Sequence, residues 1–265
     1  MKKLDLREVQ YLLLDIAKSF HQICKKYHIP YYMLGGTMLG AIRHHGFIPW
    51  DDDMDFGVPR ENYNQLLSIL REELPTRYRI ITTKEWFSPI AYFKIEDSYT
   101  VSIQSEDMRK RAQYGVFIDV FPLDKCTTDL KRLDVIYMKQ RWLNAIHSAK
   151  FMDYSHYPFS KRLILRLLRV LIPCTPEEWL THFSRLEREI ANTGDDAMVN
   201  FSGIYKKREV LDKEIFGSPQ LYVFENTQLY GPELYDVFLS HIYGDYMKMP
   251  PENKRRVHSL MVYEK

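Results

Sequence analysis

The sequence predicts an α+β fold, in which helices pack on a mixed β-sheet and a mainly helical C-terminal part follows. Three observations support this class. The first 27 residues have the periodicity of an amphipathic helix, short strand-like segments lie between about residues 78 and 121, and a helical pattern returns from about 127 to 190. We therefore expect a core domain over residues 1–126, with residues 127–265 packed against it.

The first element is an amphipathic helix. Its apolar residues recur at spacings of three and four, so they share one helical face. They are Leu6, Val9, Leu13, Ile16, Phe20, Ile23 and Tyr27. Asp5 and Glu8 form a start signal related to the capping box, and Pro30 marks the end of the segment.

A strand, a glycine turn and a short helix come next. The apolar run 31–34 meets Gly35-Gly36, which predicts a strand that breaks into a tight turn. Residues 37–43 then predict a short helix, and residues 44–50 a loop.

Alternation indicates the following strand. Met54, Phe56 and Val58 alternate with acidic or small residues, which is the period-two pattern of a strand, and Pro59 ends it. Residues 60–74 have the pattern of an amphipathic helix. Four further strands are predicted at 78–82, 91–95, 100–104 and 115–121.

Composition excludes several classes of protein. The net charge of +2 over 265 residues lacks the basic excess of a nucleic-acid binder. The three cysteines are far apart and form no C-x-x-C pair, so we expect reduced thiols rather than a disulfide framework or a cysteine zinc site. No apolar run reaches the roughly 18–20 residues of a membrane span, and the first residues do not resemble a signal peptide. We expect a cytoplasmic protein.

The most informative feature is a cluster of four carboxylates, Asp51, Asp52, Asp53 and Asp55. Alone, such a cluster is typical of a solvated loop. Here it leads into the apolar strand 54–58, where residues i and i+2 face the same side, so Asp53 and Asp55 would point together. Adjacent carboxylates repel unless a cation neutralises them, and hard oxygen ligands suit Mg²⁺ or Mn²⁺. We predict that Asp53 and Asp55 bind this metal.

The glycine turn supplies a phosphate site. Because Gly35 and Gly36 lack Cβ atoms, their backbone N–H groups can approach phosphate oxygens, and the start of a helix favours anions. Thr37 adds a hydroxyl. Arg43 and His44 follow the short helix and could reach the same anion, although for either residue alone a surface role is the default expectation.

Three more residues complete the predicted site. Asp119 is a lone acid in the apolar strand 115–121, where burial without a partner would cost several kcal/mol. It could share the metal or act as base for a hydroxyl, or it could be satisfied by backbone or an arginine. Lys94 could neutralise a leaving group or lie at the surface. Trp50 could stack on a base, wall the pocket or lie in the core.

At this point the sequence resembles the LicD family of phosphotransferases. The stretch 35–55 nearly matches the family signature G-G-T-x-L-G-A-x-R-H-x-G-F-I-P-W-D-D-D-x-D. The resemblance extends to segments 93–95, 117–124 and 243–246, and to Pro250, Pro251 and Arg255. It covers most of the chain except the central helical part, and fukutin and fukutin-related protein look like distant relatives.

The resemblance implies a nucleotidyltransferase-like fold and transfer of a phosphorylated alcohol, such as phosphocholine from CDP-choline, to a sugar hydroxyl. The acceptor would be a cell-surface glycan or its lipid-linked precursor, as in lipopolysaccharide or teichoic acid synthesis; in relatives the group can be ribitol phosphate. Asp53 and Asp55 match the family's metal pair, Gly36 and Thr37 its phosphate turn, and Asp119 its third acid. Residues 127–265 could contribute to acceptor binding.

Other readings compete with this one. A glycosyltransferase would need a larger nucleotide-binding half than the roughly 50 residues before the acid pair. A nucleotidyltransferase would share the fold and metal site but release pyrophosphate from an NTP. A non-catalytic nucleotide-binding protein would not need the three clustered acids.

The segment 160–172 combines aliphatic residues with Arg162, Arg166 and Arg169 on one helical face. Such a helix could lie on the inner face of a membrane and bring the enzyme to a lipid-linked acceptor. The sequence favours the alternative, a helix that packs its apolar face on the core and leaves its basic face solvated.

Overall fold

A mixed sheet flanked by helices forms the part of the chain that the computed structural model describes, which is residues 1–85, 89–103, 114–152, 155, 157–252, 255 and 261–265. The predicted α+β class is confirmed. Within these residues the helices are α1 (Leu6–Lys26), α2 (Gly35–His44), α3 (Arg60–Glu73), α4 (Leu130–Phe151), α5 (Phe159–Leu171), α6 (Pro176–Ala191), α7 (Lys213–Phe216) and α8 (Tyr235–Tyr243).

The strands in the same residues are β1 (Lys2–Lys3), β2 (Tyr32–Met33), β3 (Asp55–Pro59), β4 (Tyr78–Ile81), β5 (Phe93–Asp97), β6 (Thr100–Ile103), β7 (Phe117–Cys126), β8 (Ala197–Val199), β9 (Leu211–Asp212), β10 (Gln220–Phe224), β11 (Thr227–Gly231) and β12 (Met261–Glu264). A short 3-10 helix spans Lys206–Glu209.

Helix α1 begins where the sequence predicts. The Glu8 N–H donates to the Asp5 carboxylate at 2.8 Å, and the Asp5 N–H donates to the Glu8 carboxylate at 2.9 Å, which makes a full capping box. The apolar face of α1 is buried, with Ile16 and Phe20 fully inside the core. Burial of this face gives α1 a fixed position against the central sheet.

The central sheet has the strand order β2-β3-β7-β5-β4, and β8 extends it by pairing with the far end of β7. Strand β3 runs parallel to β7, whereas β5 is antiparallel to β7 and β2 is antiparallel to β3. Two smaller sheets lie outside it, formed by β1-β12-β6 and by the β10-β11 hairpin.

The strand boundaries differ from the predicted ones in instructive ways. Strand β3 starts at Asp55, so Asp53 lies just before the strand rather than on it. Strand β7 runs through Pro122 to Cys126, five residues beyond the predicted end at 121, because β8 pairs with its last three residues. Gln104, the predicted end of another strand, lies outside the described residues.

Two apolar clusters support the fold. The larger one joins α1 and the central sheet to the C-terminal part, since Phe20, Phe56 and Ile118 share it with Phe216 and Leu239. The second lies between α4, α6 and β8 and contains Leu133, Trp179, Phe183, Ile190 and Val199.

The three cysteines carry free thiols, as expected for this composition. None of the helices in the described ranges combines the length and the apolar character that crossing a bilayer requires.

Candidate active site

Three charged residues form a row across the centre of the sheet. The strand register sets Asp55 of β3 beside Asp119 of β7, and Asp119 beside Lys94 of β5. Neighbours in register point to the same face of a sheet, so the three side chains lie together. The Lys94 ammonium forms an ion pair with the Asp119 carboxylate, and Lys94 is buried. We call Asp55, Asp119 and Lys94 the charge row.

The electrostatics of the row favour an added positive charge. Burial raises the pKa of the Asp55 carboxyl well above its usual value, and the nearby Asp53 and Asp119 carboxylates raise it further. The Lys94 ammonium opposes this effect but does not cancel it. An incoming cation would therefore relieve repulsion among these acids.

The donor atoms decide which cation fits. Among the described residues, no group of three or more His, Cys, Asp or Glu side chains could hold a metal ion by itself. Mg²⁺, however, is usually bound by one or two carboxylates together with substrate phosphates and water. Asp53 and Asp55 fit this partial set, because both line the large cavity described below. An oxygen of Asp119 is engaged by Lys94. Metal binding by Asp53, Asp55 and Asp119 stays a prediction.

The glycine turn lies against the acids. Gly35 has a φ of +48°, a left-handed conformation that suits glycine, and α2 begins there. A Cβ on Gly36 would lie 2.8 Å from an Asp51 oxygen, so glycine lets this carboxylate approach the helix. The Thr37 hydroxyl accepts the Asp55 N–H at 2.8 Å and thereby joins the turn to β3. Thr37 is buried, whereas Gly35 and Gly36 line the cavity.

A cavity of about 630 Å³ opens beside the acids and the glycine turn. Its wall combines aromatic rings with charged groups. The rings are Trp50, Tyr92, Phe121, Tyr205, Tyr243 and Tyr246, and the charged groups other than the acids already described are Arg43, Glu209, Asp245, Lys248 and Arg255. This size and mixture suit a ligand with phosphate, ring and polar parts.

A smaller cavity of about 250 Å³ adjoins the first. Asp53, Tyr92 and Asp119 line both cavities, so the two meet at these residues. Lys94 lines the smaller cavity, and its ion pair with Asp119 connects it to a residue that lines both cavities.

Arg43 and His44 lie at the end of α2. The Arg43 guanidinium donates to the Tyr246 carbonyl at 2.8 Å and to His44 Nε2 at 3.0 Å. Arg43 lines the large cavity, but His44 is not among its lining residues. Burial, and then the Arg43 charge, lower the pKa of His44. Arg43 thus links α2 to the segment after α8 by a hydrogen bond.

The described part of that segment, residues 243–252 and Arg255, contributes to a wall of the site. Tyr243, Tyr246 and Arg255 all line the large cavity. The Arg255 guanidinium lies 4.6 Å from the centre of the Trp50 ring, a cation–π contact between two residues that line the cavity. The sequence motif left the place of this segment open, and the structure brings it to the site.

Sequence reasoning missed part of the wall. Tyr205 and Glu209 come from the loop and 3-10 helix that precede β9, and Tyr92 lies beside Lys94. Burial raises the pKa of Glu209 to about 7. Glu209 follows three basic residues in the sequence and belongs to no motif, so only its position in the fold shows that it lines the cavity.

Part of the chain that contains the site matches a known protein family. Residues 28–174 match the family model described as LicD/FKTN/FKRP, nucleotidyltransferase domain. The matched range includes the acid pair, the glycine turn and the complete charge row.

Among individual proteins, the chain is 30% identical over 279 residues to the lipopolysaccharide cholinephosphotransferase LicD of Haemophilus influenzae, with 98% of each chain covered. It is also 40% identical over 68 residues to an uncharacterized protein of Rickettsia typhi, which covers 26% of this chain and 22% of that protein. An uncharacterized protein of Rickettsia prowazekii is 43% identical over 58 residues, 22% of each chain.

Proposed function

The chain belongs to the LicD family, and we propose that it transfers phosphocholine from CDP-choline to a sugar hydroxyl of a cell-surface glycan or its lipid-linked precursor. The observation that carries this proposal is the pair Asp53 and Asp55, which faces a 630 Å³ cavity beside the Gly35-Gly36 turn. Metal-binding acids next to backbone N–H groups at a helix start suit a diphosphate.

Each part of the site has a task in this reaction. Asp53 and Asp55 would hold Mg²⁺, which supplies charge neutralisation on the diphosphate of the donor. The N–H groups at the start of α2 bind phosphate oxygens. The work of the protein is mostly to position the donor and acceptor and to stabilise charge.

The transfer step needs a base and an exit for the leaving group. The acceptor oxygen attacks the phosphorus that carries choline, the bond from that phosphorus to CMP breaks, and CMP leaves with the electron pair. The hydroxyl proton passes to Asp119, which lies where the two cavities meet. Lys94 holds Asp119 in place through their ion pair.

The choice of phosphocholine and lipopolysaccharide is supported by the Haemophilus influenzae relative, which aligns over nearly the whole chain. CDP-ribitol and CDP-glycerol are donors with the same diphosphate chemistry, and teichoic acid is a second class of acceptor.

The proposal is tested by CMP release from CDP-choline with Mg²⁺ in the wild type and in Asp53→Asn and Asp55→Asn. We expect slow hydrolysis that EDTA abolishes and that each variant lowers by about 10²-fold or more. Asp195→Asn is the matched control, because Asp195 is an exposed acid whose side chain is 73% accessible. It should retain wild-type turnover.

Other outcomes are equally informative. Metal-dependent turnover of CDP-ribitol or CDP-glycerol, but not CDP-choline, would keep the mechanism and change the donor. Pyrophosphate release from an NTP without turnover of any CDP-alcohol would contradict the proposal and favour a nucleotidyltransferase. Nucleotide binding without any turnover, in the presence of candidate acceptors, would favour a non-catalytic binding protein.

A further inference from the structure

One corner of the large cavity combines two aromatic rings with a carboxylate. The rings of Tyr205 and Tyr243 meet edge to face, with their centres 5.5 Å apart and their planes at 80°. Both rings and Glu209 line the cavity. Two ring faces set at a right angle form the corner of an aromatic cage, which is how proteins bind quaternary ammonium groups.

The local backbone is shaped to hold the Glu209 carboxylate at this corner. The Tyr205 N–H donates to a Glu209 oxygen at 3.2 Å. A Cβ on Gly203 would lie 2.2 Å from the same carboxylate, so any other residue there would displace the carboxylate from this position. In the part of the chain that the structure describes, no lysine or arginine is recorded in an ion pair with Glu209. A partly desolvated carboxylate without a protein cation favours a cationic ligand.

The corner also lies close to the proposed phosphate site, so one donor molecule can reach both. The Tyr243 hydroxyl lies 3.7 Å, and an Asp55 oxygen 3.6 Å, from the position that a Gly35 Cβ would occupy. Tyr243 therefore stands between the acid pair and the Tyr205–Glu209 corner. A donor whose phosphates lie at the glycine turn can extend its alcohol end past Tyr243 to this corner.

We propose that Tyr205, Tyr243 and Glu209 bind the trimethylammonium group of the donor alcohol. This inference rests on the proposed function and adds the residues that select choline over other alcohols. Glu209 supplies the opposite charge, and the two rings supply cation–π contacts at a desolvated position.

The test compares CDP-choline with the CDP ester of 3,3-dimethylbutanol, in which a neutral carbon replaces the nitrogen. We expect the wild type to prefer CDP-choline by about 10- to 100-fold in kcat/KM, because shape is matched and only the charge differs. Glu209→Gln, whose amide oxygen can still accept the Tyr205 N–H, should reduce this preference to a few-fold at most. Glu177→Gln, an exposed acid at the start of α6, should preserve it.

The outcomes separate the two claims. If Glu209→Gln lowers turnover of both donors equally, Glu209 acts as a base or a structural group and the subsite is overturned. If the wild type turns over both donors equally well, the subsite is overturned while the proposed function stands. If the wild type turns over neither donor but does turn over an NTP, the proposed function falls and the subsite falls with it.

An independent feature is the outward face of α5. The buried residue of this helix is Leu165. Most of its large apolar side chains are exposed instead, and these form what we call the outer face: Phe159, Leu163, Ile164, Leu167, Val170 and Leu171. At about 100° per residue, they span an arc of roughly 140° centred opposite Leu165. The favoured expectation from the sequence, an apolar face packed on the core, is therefore wrong.

Charge indicates what covers this face. The 13 residues of α5 contain Lys161, Arg162, Arg166 and Arg169 and no acid. Arg166 and Arg169 are exposed, and Arg166 borders the outer face. A second copy docked by two-fold symmetry would bring like charges together, whereas an anionic bilayer would accept both the apolar residues and the cations.

We propose that the outer face of α5 binds the surface of an anionic phospholipid bilayer. The experiment is sedimentation of the full chain with vesicles of phosphatidylcholine, with and without phosphatidylglycerol. We expect binding that requires the anionic lipid and that Leu167→Glu/Val170→Glu weakens at least 10-fold. Leu221→Glu/Val223→Glu, which alters exposed residues of β10, is the matched control and should bind like the wild type.

Absence of sedimentation with anionic vesicles would overturn this proposal. So would equal loss of binding in the control variant. A concentration-dependent dimer that Leu167→Glu/Val170→Glu dissociates, with no vesicle binding, would assign the face to a second copy instead.

Discussion

At the scale of single residues, the site depends on charges that the sheet forces together. Asp55, Asp119 and Lys94 occupy neighbouring register positions on three strands, and burial makes their mutual interactions strong. The Lys94 ammonium offsets part of the negative charge of Asp55 and Asp119. The remaining negative charge favours a cation at this site, and in the proposed function that cation would bring the donor phosphates with it.

Lys94→Met is expected to remove that compensation. Loss of one partner of a buried ion pair typically costs about 3–5 kcal/mol, less here because Asp119 retains some exposure. We expect a lower midpoint of thermal unfolding and at least 10²-fold lower turnover of CDP-choline. Lys125→Met is the control, since Lys125 lies on the same strand as Asp119 but pairs with Glu61 at the surface. Equal effects of both substitutions would contradict the role of the buried pair.

Glu209 predicts a pH dependence of donor binding. Burial raises the pKa of its carboxyl to about 7, so the group is neutral at pH 6 and charged at pH 8. Among the described residues, the hydroxyls of Tyr137 and Tyr243 also interact with it, and burial raises the pKa of both above this range. We expect KM for CDP-choline to fall between pH 6 and pH 8. The neutral carbon isostere should show no such fall, and a parallel fall for both donors would contradict this account.

At the scale of elements, α2 carries the proposed phosphate-binding N–H groups, and its glycines determine how closely it packs. A Cβ on Gly40 would lie 2.4 Å from the Gly46 carbonyl oxygen, which is backbone and cannot turn aside. A Cβ on Gly36 would contact the Asp51 side chain, which can rotate away. The two glycines therefore serve different purposes within one helix.

Substitution by alanine separates those purposes. Gly40→Ala should destabilise the protein by about 1–3 kcal/mol, because α2 must move off the loop that follows it. Gly36→Ala should cost less stability but reduce donor turnover, since it displaces Asp51 and narrows access to the N–H groups. Chemical denaturation and CMP release measure the two effects. A larger loss of stability in Gly36→Ala would contradict this assignment.

At the scale of the whole molecule, a buried polar contact joins the central sheet to the helices of the second apolar cluster. Arg60 of α3 donates two hydrogen bonds to Asp124 of β7, at 2.7 and 2.8 Å. The same guanidinium lies 2.7 Å from Glu187 of α6. Burial raises the pKa of Glu187 to about 7, and the Arg60 charge limits the rise.

This contact predicts how stability changes with pH. The folded state holds the Glu187 proton more tightly than the unfolded state, in which the pKa of this carboxyl lies near the ordinary glutamate value of 4.5. Ionisation of Glu187 therefore lowers stability progressively as pH rises from about 4.5 to 7. Glu187→Gln removes this effect. The unfolding free energy of the variant minus that of the wild type should therefore rise by up to about 3 kcal/mol between pH 5 and pH 8. A difference that is constant with pH would contradict this.

The sequence predicts a large part of this molecule, for identifiable reasons. Helix α1 follows from apolar spacing and a capping pair, and β3 and β7 follow from apolar segments that carry single acids. These signals are local. Glu209 and the outward face of α5 depend on which elements pack together, and helical periodicity does not state which side of a helix meets the core. Asp53 lies before β3 because strand pairing, rather than alternation, decides where a strand begins.

The most direct test follows both halves of the donor. CDP-choline labelled in the choline is incubated with Mg²⁺ and lipopolysaccharide that lacks phosphocholine. We predict that the label enters the glycan, that its phosphorus comes with it, and that one CMP is released for each choline transferred. Asp55→Asn should abolish both events. Transfer of CMP to the glycan with release of phosphocholine, or release of CMP that Mg²⁺ and Asp55 do not affect, would contradict the central claim.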